Sequence, residues 1–455
     1  MTAGRDIRSI LIRVTLVLSV VAPLVSAGAA LAAPGTLARS FAGDGRQWLC
    51  LHEGCGLEFR DAMAGPDGTV IAAGWTFAPA LGDPGFTHDF VLARYEHGGL
   101  PDPSFGHRGL VESESFGSAS LQYGDAVVDR QGRILVSGAV FQKPFHGLVV
   151  RYQPDGSVDH SFGDDGVART LQSGDALAIA GDGSILVGGG DHPRAHGFQV
   201  VTKLDSSGDP DPSFSGDGIA KWVRCCGLHV DAMAVDGKGR ILGAGSIHSG
   251  DKERKTLAVA RLTSSGRVDR SFGHGGLADA HFSRHSEARA LATLPDGRIL
   301  AVGTRGATSL PKASLFALAR FRPNGRLDRS FSGDGIRTTD FGFPDFQYAS
   351  SVALQPDGRA IVAGAGGEEF RSGKFVAARY LRNGRLDASF GRRGKTETAF
   401  PSARGYHSMC AAASSATLLS GNRFALAGVQ YGCTEEEEEG YTGPGHLGVL
   451  TVYKR

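Results

Sequence analysis

The sequence predicts an all-β protein, a seven-bladed β-propeller built from seven repeats of about 58 residues, with the ring closed by the two ends of the chain. Three observations carry this. One phrase recurs seven times. Each repeat holds three clear strand-forming runs and one weaker run, with no helical periodicity. The first and last segments are complementary parts of one of these seven repeats.

The phrase is plainest at residues 325–335, Gly-Arg-Leu-Asp-Arg-Ser-Phe-Ser-Gly-Asp-Gly. Its phenylalanine recurs as Phe41, Phe105, Phe162, Phe214, Phe272, Phe331 and Phe390, at intervals of 64, 57, 52, 58, 59 and 59 residues. A Gly stands six before each Phe, a Ser directly before it, and a Gly four after it. A period of this length marks a repeat architecture.

Within the unit that begins at Gly335, the elements follow in order. A short run ends near Phe341. Residues 351–354 are apolar, Pro356-Asp357-Gly358 reads as a hairpin turn, and residues 359–364 are strand-forming. A Gly-rich loop of variable length leads to residues 375–380, and Asn383-Gly384 turns into the next phrase. The hairpin returns at residues 62–73, 126–136, 176–187, 232–244, 291–302 and 412–427. The later strand returns at 90–95, 148–152, 200–204, 257–262, 316–321 and 449–453. An open solenoid is the other architecture to weigh, but it needs atypical capping units. Here Tyr453 stands where a turn phrase should follow, and residues 34–41 are that missing phrase.

Composition narrows the function classes. The chain has 455 residues, 48 of them basic and 47 acidic, so its overall charge gives no argument for nucleic acid or an anionic membrane surface. Gly (67) and Pro (19) are abundant enough for many tight turns. Arg5, Arg8 and Arg13, the apolar run 14–25 and Ala30-Leu31-Ala32-Ala33 read as a signal peptide over residues 1–33, an uncleaved anchor being the alternative. The expectation is a secreted, periplasmic or cell-surface protein, with residues 34–455 as a single monomeric domain and no membrane span after signal removal.

Six cysteines, Cys50, Cys55, Cys225, Cys226, Cys410 and Cys433, suit an exported chain. The repeat frame groups them as Cys50/Cys55, Cys225/Cys226 and Cys410/Cys433, and pairing within units is the simplest connectivity. The Cys225–Cys226 pair would be strained, because adjacent Cα atoms lie only about 3.8 Å apart. Two free thiols are the alternative there.

Asp296-Gly297-Arg298-Ile299-Leu300-Ala301-Val302-Gly303, followed by Phe316-Ala317-Leu318-Ala319-Arg320-Phe321 and the Gly-x-Leu-Asp-x-Ser-Phe phrase, resembles the bacterial delta-60 repeat. The resemblance covers about residues 35–453. It implies a propeller-like fold in a secreted or surface protein and carries no catalytic residues. The cysteines and the Glu435–Glu439 run depart from its pattern.

Candidate chemistry is sparse, and the reading names no catalytic residue, cofactor or metal. Residues 443–448 fit Gly-x-Gly-x-x-Gly but precede a strand, whereas a dinucleotide site needs a helix there. His192/His196 and His281/His285 have metal-like spacing without a helix to present it. Asp44, Asp165, Asp217 and Asp334 sit in Gly-flanked turns whose counterparts elsewhere include Arg, which suits turns better than calcium loops. Glu435–Glu439 reads as a solvated charge run.

One pattern points to structural charge pairs. Arg94, Arg151, Lys203, Arg261, Arg320 and Arg379 are each followed eight positions later by Asp102, Asp159, Asp211, Asp269, Asp328 and Asp387. In the seventh unit the two positions are Val452 and Ala38, and both charges vanish together. A buried charge without its partner is costly, so paired loss suggests paired function. The alternative is a solvated Arg and an Asp that caps its own turn. The functional expectation is a non-catalytic scaffold that binds a protein or glycan through its variable loops. A propeller-fold lyase or glycoside-acting hydrolase with a site at the channel mouth is the second hypothesis, and a structural envelope component the third.

Overall fold

The computed structural model describes residues 33–49, 51, 56–79, 86–113, 121–140, 146–190, 200–222, 228–248, 255–306, 314–368, 372–401, 409–432 and 446–455. Residues 1–32 of the leader, all cysteines except Cys410, the His192/His196 pair, residues 443–445 and the Glu435–Glu439 run therefore lie outside the described residues.

The described chain forms seven antiparallel sheets of four strands. The first contains Leu57–Ala64, Val70–Pro79, Phe86–Tyr95 and Leu110–Glu112, in that order. The inner strands of the seven blades are Leu57–Ala64, Leu121–Val128, Ala176–Ile179, His229–Val235, Ser286–Thr293, Phe346–Leu354 and Met409–Leu419. They number the blades 1 to 7, and each lies against the inner strands of its two neighbours, so together they surround a central channel. The only helical element among the described residues is one 3-10 turn, Pro66–Gly68. The chain is a seven-bladed β-propeller.

The core lies between blades. Ile71, Phe90 and Leu92 of blade 1 pack with Tyr123, Ile134 and Leu148 of blade 2. The second strand of each blade has neighbours on both faces, which explains runs such as Ile134–Val140, apolar but for Ser137 and buried along its whole length. The Asp-Gly hairpins take a three-residue loop rather than the two-residue form. Gly297 N–H donates to Leu294 O at 2.8 Å, Leu294 N–H donates to Arg298 O at 2.8 Å, and Gly297 has φ +81°.

The chain ends close the ring. Arg46–Leu49 is the outermost strand of blade 7 and pairs with Leu447–Lys454. Leu37 bridges Tyr453 as Val158 bridges Tyr152. Ala38 N–H donates to Val452 O at 2.8 Å, the counterpart of Asp328 N–H to Arg320 O at 2.8 Å.

The repeated phrase also joins blade to blade. The residue after each phrase Phe donates its N–H to a turn carbonyl of the next blade. Examples are Ala42 to Gly98 O at 2.7 Å, Gly273 to Asn324 O at 2.9 Å and Gly391 to Pro34 O at 2.7 Å. The turn glycine that follows this carbonyl sits on the preceding blade's Phe. At Gly325 (φ +85°) a Cβ would stand 2.5 Å from Gly273 N and 3.1 Å from the Phe272 ring. Both the dihedral and the close approach exclude a side chain there.

Strand order sorts the connections into two faces. The hairpin between first and second strands, and the phrase between third and fourth, lie at one face. The loops between second and third strands, and the links between blades, lie at the other. The phrase turns thus share one face, and the strand ends that flank the variable segments lie at the opposite face.

Candidate functional site

The six charge pairs of the repeat lie on the phrase face. Arg94 Nε meets Asp102 Oδ2 at 2.8 Å, Arg151 meets Asp159 at 2.7 Å and Arg261 meets Asp269 at 2.8 Å. Arg320 meets Asp328 at 2.8 Å, Arg379 meets Asp387 at 2.9 Å, and Lys203 Nζ lies 3.0 Å from Asp211. The arginine pairs are largely buried, the Arg320 and Asp328 side chains being 3% and 5% exposed, whereas Lys203 and Asp211 are 14% and 21% exposed. The Asp also caps its turn with its other oxygen, Asp328 Oδ1 accepting from Ser330 N at 3.1 Å and Ser330 Oγ at 2.8 Å. Ion pair and turn cap thus share one carboxylate. Burial opposes ionisation of Asp328, but Ser330, Arg298 and Arg320 hold its pKa down to about 2.

Each arginine spans more than its own turn. Its guanidinium lies over the phrase Phe, with Arg151 Cζ 4.3 Å from the Phe162 centroid and Arg320 Cζ 4.7 Å from that of Phe331. In four of the five, Nη1 donates to a carbonyl of the next blade, Arg151 to Ser206 O and Arg261 to Pro323 O, both at 2.6 Å. Arg94 reaches Pro154 O and Arg320 reaches Arg382 O in the same way. The unit is therefore an inter-blade clasp. In blade 7, where Val452 replaces the arginine, Arg423 Nη1 reaches His97 O at 3.1 Å, the matching carbonyl of blade 1. Sequence reasoning missed this substitution. The available signal was that Arg423 follows its hairpin as Arg133, Arg240, Arg298 and Arg359 follow theirs.

The remaining candidates separate. His281 Nε2 contacts Asp279 at 2.6 Å, while His285 Nδ1 accepts from Lys255 N–H at 3.1 Å. Asp217 and Asp334 accept from Ile219 N–H and Ile336 N–H within their own turns, and Asp44 binds Arg46. Among the described residues no group of three or more His, Cys, Asp or Glu is arranged to hold a metal. Cys410 is buried opposite Tyr431.

The distinctive chemistry lies on the channel, at the variable-loop face. Six inner strands slip register, between Phe59/Asp61, Tyr123/Ala126, Val230/Ala232, Ala288/Ala290, Ala349/Ser351 and Ala413/Ser415. A bulge re-aims the side chain at the slip. At this level Arg60, Asp231 and Arg289 are exposed. Arg60 stands at the Phe59/Asp61 slip, and its charge opposes the rise of the Tyr123 and Tyr348 pKa values.

Two groups of polar and aromatic side chains stand here, one on blades 5 and 6 and one on blades 7 and 1. Glu287 binds Arg289 at 2.7 Å and Lys255 at 3.3 Å. Arg289 Cζ lies 5.8 Å from the Tyr348 ring centroid. His446 packs on Tyr431 at 5.3 Å and contacts Glu58 Oε1 at 2.7 Å. Trp75 Nε1 donates to Glu58 Oε2 at 3.3 Å, and Arg60 Nε lies 3.6 Å from the same oxygen. Burial would raise the Glu58 pKa, but the His446 hydrogen bond and Arg60 bring it below its ordinary value. Glu287, opposed by burial, is likewise lowered by Arg289 and Lys255. Burial and then Tyr431 raise Tyr348, while Arg289 and Arg60 pull it back.

Deeper in the channel, burial pushes the Asp61 pKa up to about 6, against hydrogen bonds from Tyr123 (2.7 Å) and Ser415. Burial and then the charge of Asp61 push Asp125 well above its ordinary range. Two such carboxyls would suit acid chemistry, but their bonding has a plainer account. Ala126 N–H, next to Asp61 across the blade 1–2 boundary, donates to Asp125 Oδ1 at 2.8 Å, and Asp125 Oδ2 accepts from Leu177 N–H of blade 3 at 2.7 Å. Ser351 Oγ accepts from Ala416 N–H of blade 7 at 2.9 Å in the equivalent way. The position supplies an acceptor for an N–H beside the next blade's bulge, and serine serves as well as aspartate.

These features define a propeller whose phrase turns share one face and whose loop face carries a polar, aromatic channel mouth. The family described as "Domain of unknown function (DUF5122) beta-propeller" matches residues 132–162, 294–331 and 355–390, which places these repeats with a propeller-repeat family. No curated protein matches the sequence. Among solved structures, a protein of unknown function from Dyadobacter fermentans is 12% identical, with a TM-score of 0.44 over 90% of this chain and 98% of that one. The NanB sialidase of Streptococcus pneumoniae is 12% identical, with a TM-score of 0.39 over 88% and 68%. The β-propeller domain of the Trilobed protease from Pyrococcus furiosus is 9% identical, with a TM-score of 0.43 over 87% and 93%. At such identities and scores none of the three bears on what this chain does.

Proposed function

We propose that this chain is an exported, non-catalytic propeller of the delta-60 repeat type that binds a glycan or protein partner at the channel mouth of its variable-loop face. The observation that carries the reading is the division of labour between the faces. The phrase face holds the recurrent buried clasps and, around them, exposed charges such as Arg322 and Arg329, with its aromatic rings buried, whereas the loop face holds Arg60 and Arg289, both half-exposed, on a level with the partly exposed Trp75, Tyr348 and Tyr431. Aromatic surfaces beside directional donors are the usual furniture of a recognition site. The enzyme alternative draws on Asp61 and Asp125, and the Ser351 counterpart favours a structural role for that level instead. The test is a glycan array and a pull-down with purified residues 34–455, run beside Tyr348→Ala and Trp75→Ala. Ligand capture that both variants lose supports the reading. Capture that survives both variants refutes the mouth as the site, and turnover of a captured glycan refutes the non-catalytic part.

A further inference from the structure

We infer that a small carboxylate from solution binds to Arg423 on the phrase face, at the seam between blades 7 and 1, in place of an aspartate that other blades supply from the chain. The site is separate from the channel mouth. Blades 2, 4, 5 and 6 also carry an arginine directly after the hairpin, and each of these binds a carboxylate. Arg133 meets Asp129 at 2.6 Å, Arg240 meets Asp236 at 2.6 Å, Arg298 meets Asp328 at 3.1 Å and Arg359 meets Asp387 at 2.9 Å. Arg298 and Arg359 also bind Asp296 and Asp357 of their hairpins. The acids thus come from three places: four before the arginine, two before it, and the phrase. Blade 7 has Leu419, Gly421 and Ala38 at these places. Arg423 is nevertheless buried, where the other four are part-exposed. Its Nη2 is buried and makes no hydrogen bond among the described residues.

A guanidinium cannot shed its charge, and a buried charge without a counter-ion is costly, so the seam gains from an anion. Packing puts the place of the missing aspartate close by. Leu419 pairs with Arg423 across the hairpin and packs in one cluster with Ala38, Phe41 and Val452. Arg423 Nη1 donates to His97 O at 3.1 Å, and Ala42 N–H of the phrase donates to Gly98 O of the same turn at 2.7 Å. The ligand is a carboxylate because the phrase serine offers a second contact. In blade 6, Asp387 takes Arg359 on Oδ2, while Oδ1 accepts from Ser389 N at 3.1 Å and Ser389 Oγ at 2.6 Å. Ser40 is the matching serine in blade 7, and it is exposed, which leaves a path from solvent. A carboxylate bridges two such donors with its two oxygens, and a single-atom anion does not. The ligand is small because Ala38 is shorter than aspartate by one carboxylate group. Asp44, the acid of the same phrase, is engaged by Arg46 at 3.0 Å.

The test measures formate binding to residues 34–455 by saturation transfer to the formate proton, with neutral formamide as the isosteric probe and ionic strength held constant with sodium chloride. Formate should bind saturably, and formamide at least about tenfold more weakly. The urea midpoint should rise with formate along the same saturation curve. Ala38→Asp returns the carboxylate to the chain, so it should raise the midpoint in the absence of formate and abolish formate binding. Arg423→Met should weaken binding about tenfold or more. Should that variant fail to fold, Ala38→Asp still decides. Tyr348→Ala, at the channel mouth, should bind formate as the wild type does. Absence of saturable binding by the folded domain, equal binding of formamide, or formate binding that survives in Ala38→Asp or in folded Arg423→Met would overturn the inference. Loss of formate binding in Tyr348→Ala would overturn it too, by moving the site to the mouth.

Discussion

Removing Asp328 tests the clasp at its centre. Asp328→Ala deletes the partner of Arg320 at 2.8 Å and of Arg298 at 3.1 Å, together with the cap on Ser330. It leaves a guanidinium that is 3% exposed with its counter-charge gone. Breaking such a buried pair costs about 3–5 kcal/mol. Arg320→Met should cost less, because Asp328 keeps Arg298 and Ser330 and the methionine still packs on Phe331. Urea unfolding of the single and double variants, followed by tryptophan fluorescence, yields a coupling energy of about 2 kcal/mol if the pair acts as a unit. The asymmetry is as informative as the coupling. The pH dependence has a fixed sign. The carboxyl is held near 2 when folded, so its contribution is present above about pH 4 and is lost as pH falls toward 2. A coupling below about 0.5 kcal/mol, or Arg320→Met costing more than Asp328→Ala, would show the recurrent spacing to be an echo of duplication.

Three further outcomes follow from the same geometry. Asp61 is held near 6 by burial, so the folded state keeps a proton that the unfolded chain releases near pH 4; stability should fall by up to about 3 kcal/mol as pH rises from about 4 to about 6, and Asp61→Asn should flatten that slope in a series of urea midpoints. Gly325→Ala should destabilise by about 2–4 kcal/mol, because it meets both a positive φ and the backbone of blade 4, whereas Gly333→Ala, with the same sign of φ but open space, should cost about 1 kcal/mol by the same urea assay. Cys410 and Cys433 should be recovered as one disulfide-linked peptide from exported protein by mass mapping; finding both as free thiols would contradict the pairing.

The fold was legible in the sequence because its determinants are local. The phrase holds its Gly, Asp, Ser and Phe within a few residues, and each does its work inside one turn or against the adjoining blade. Gly325 against Phe272 and Arg320 over Phe331 are the outcome. The Arg–Asp spacing was equally readable, but not the depth of burial, because the next blade's turn covers the pair. The mouth could not be read at all. Arg60, Arg289, Tyr348 and Tyr431 come from four blades and are set at one level only by ring closure and by bulges that no residue pattern announces. The Asp61 and Asp125 carboxyls were likewise silent, since their neighbours Ser415, Tyr123 and Leu177 belong to other blades.

The division between a structural phrase face and a recognising loop face is best tested by hydrogen exchange on the 34–455 domain, with and without a captured ligand. The account predicts slowed exchange at residues 57–60, 286–289, 346–348, 430–432 and 446–448, and no change in the turns at 325–335 and 384–394. Protection confined to those phrase turns, with the channel mouth unaffected, would contradict it.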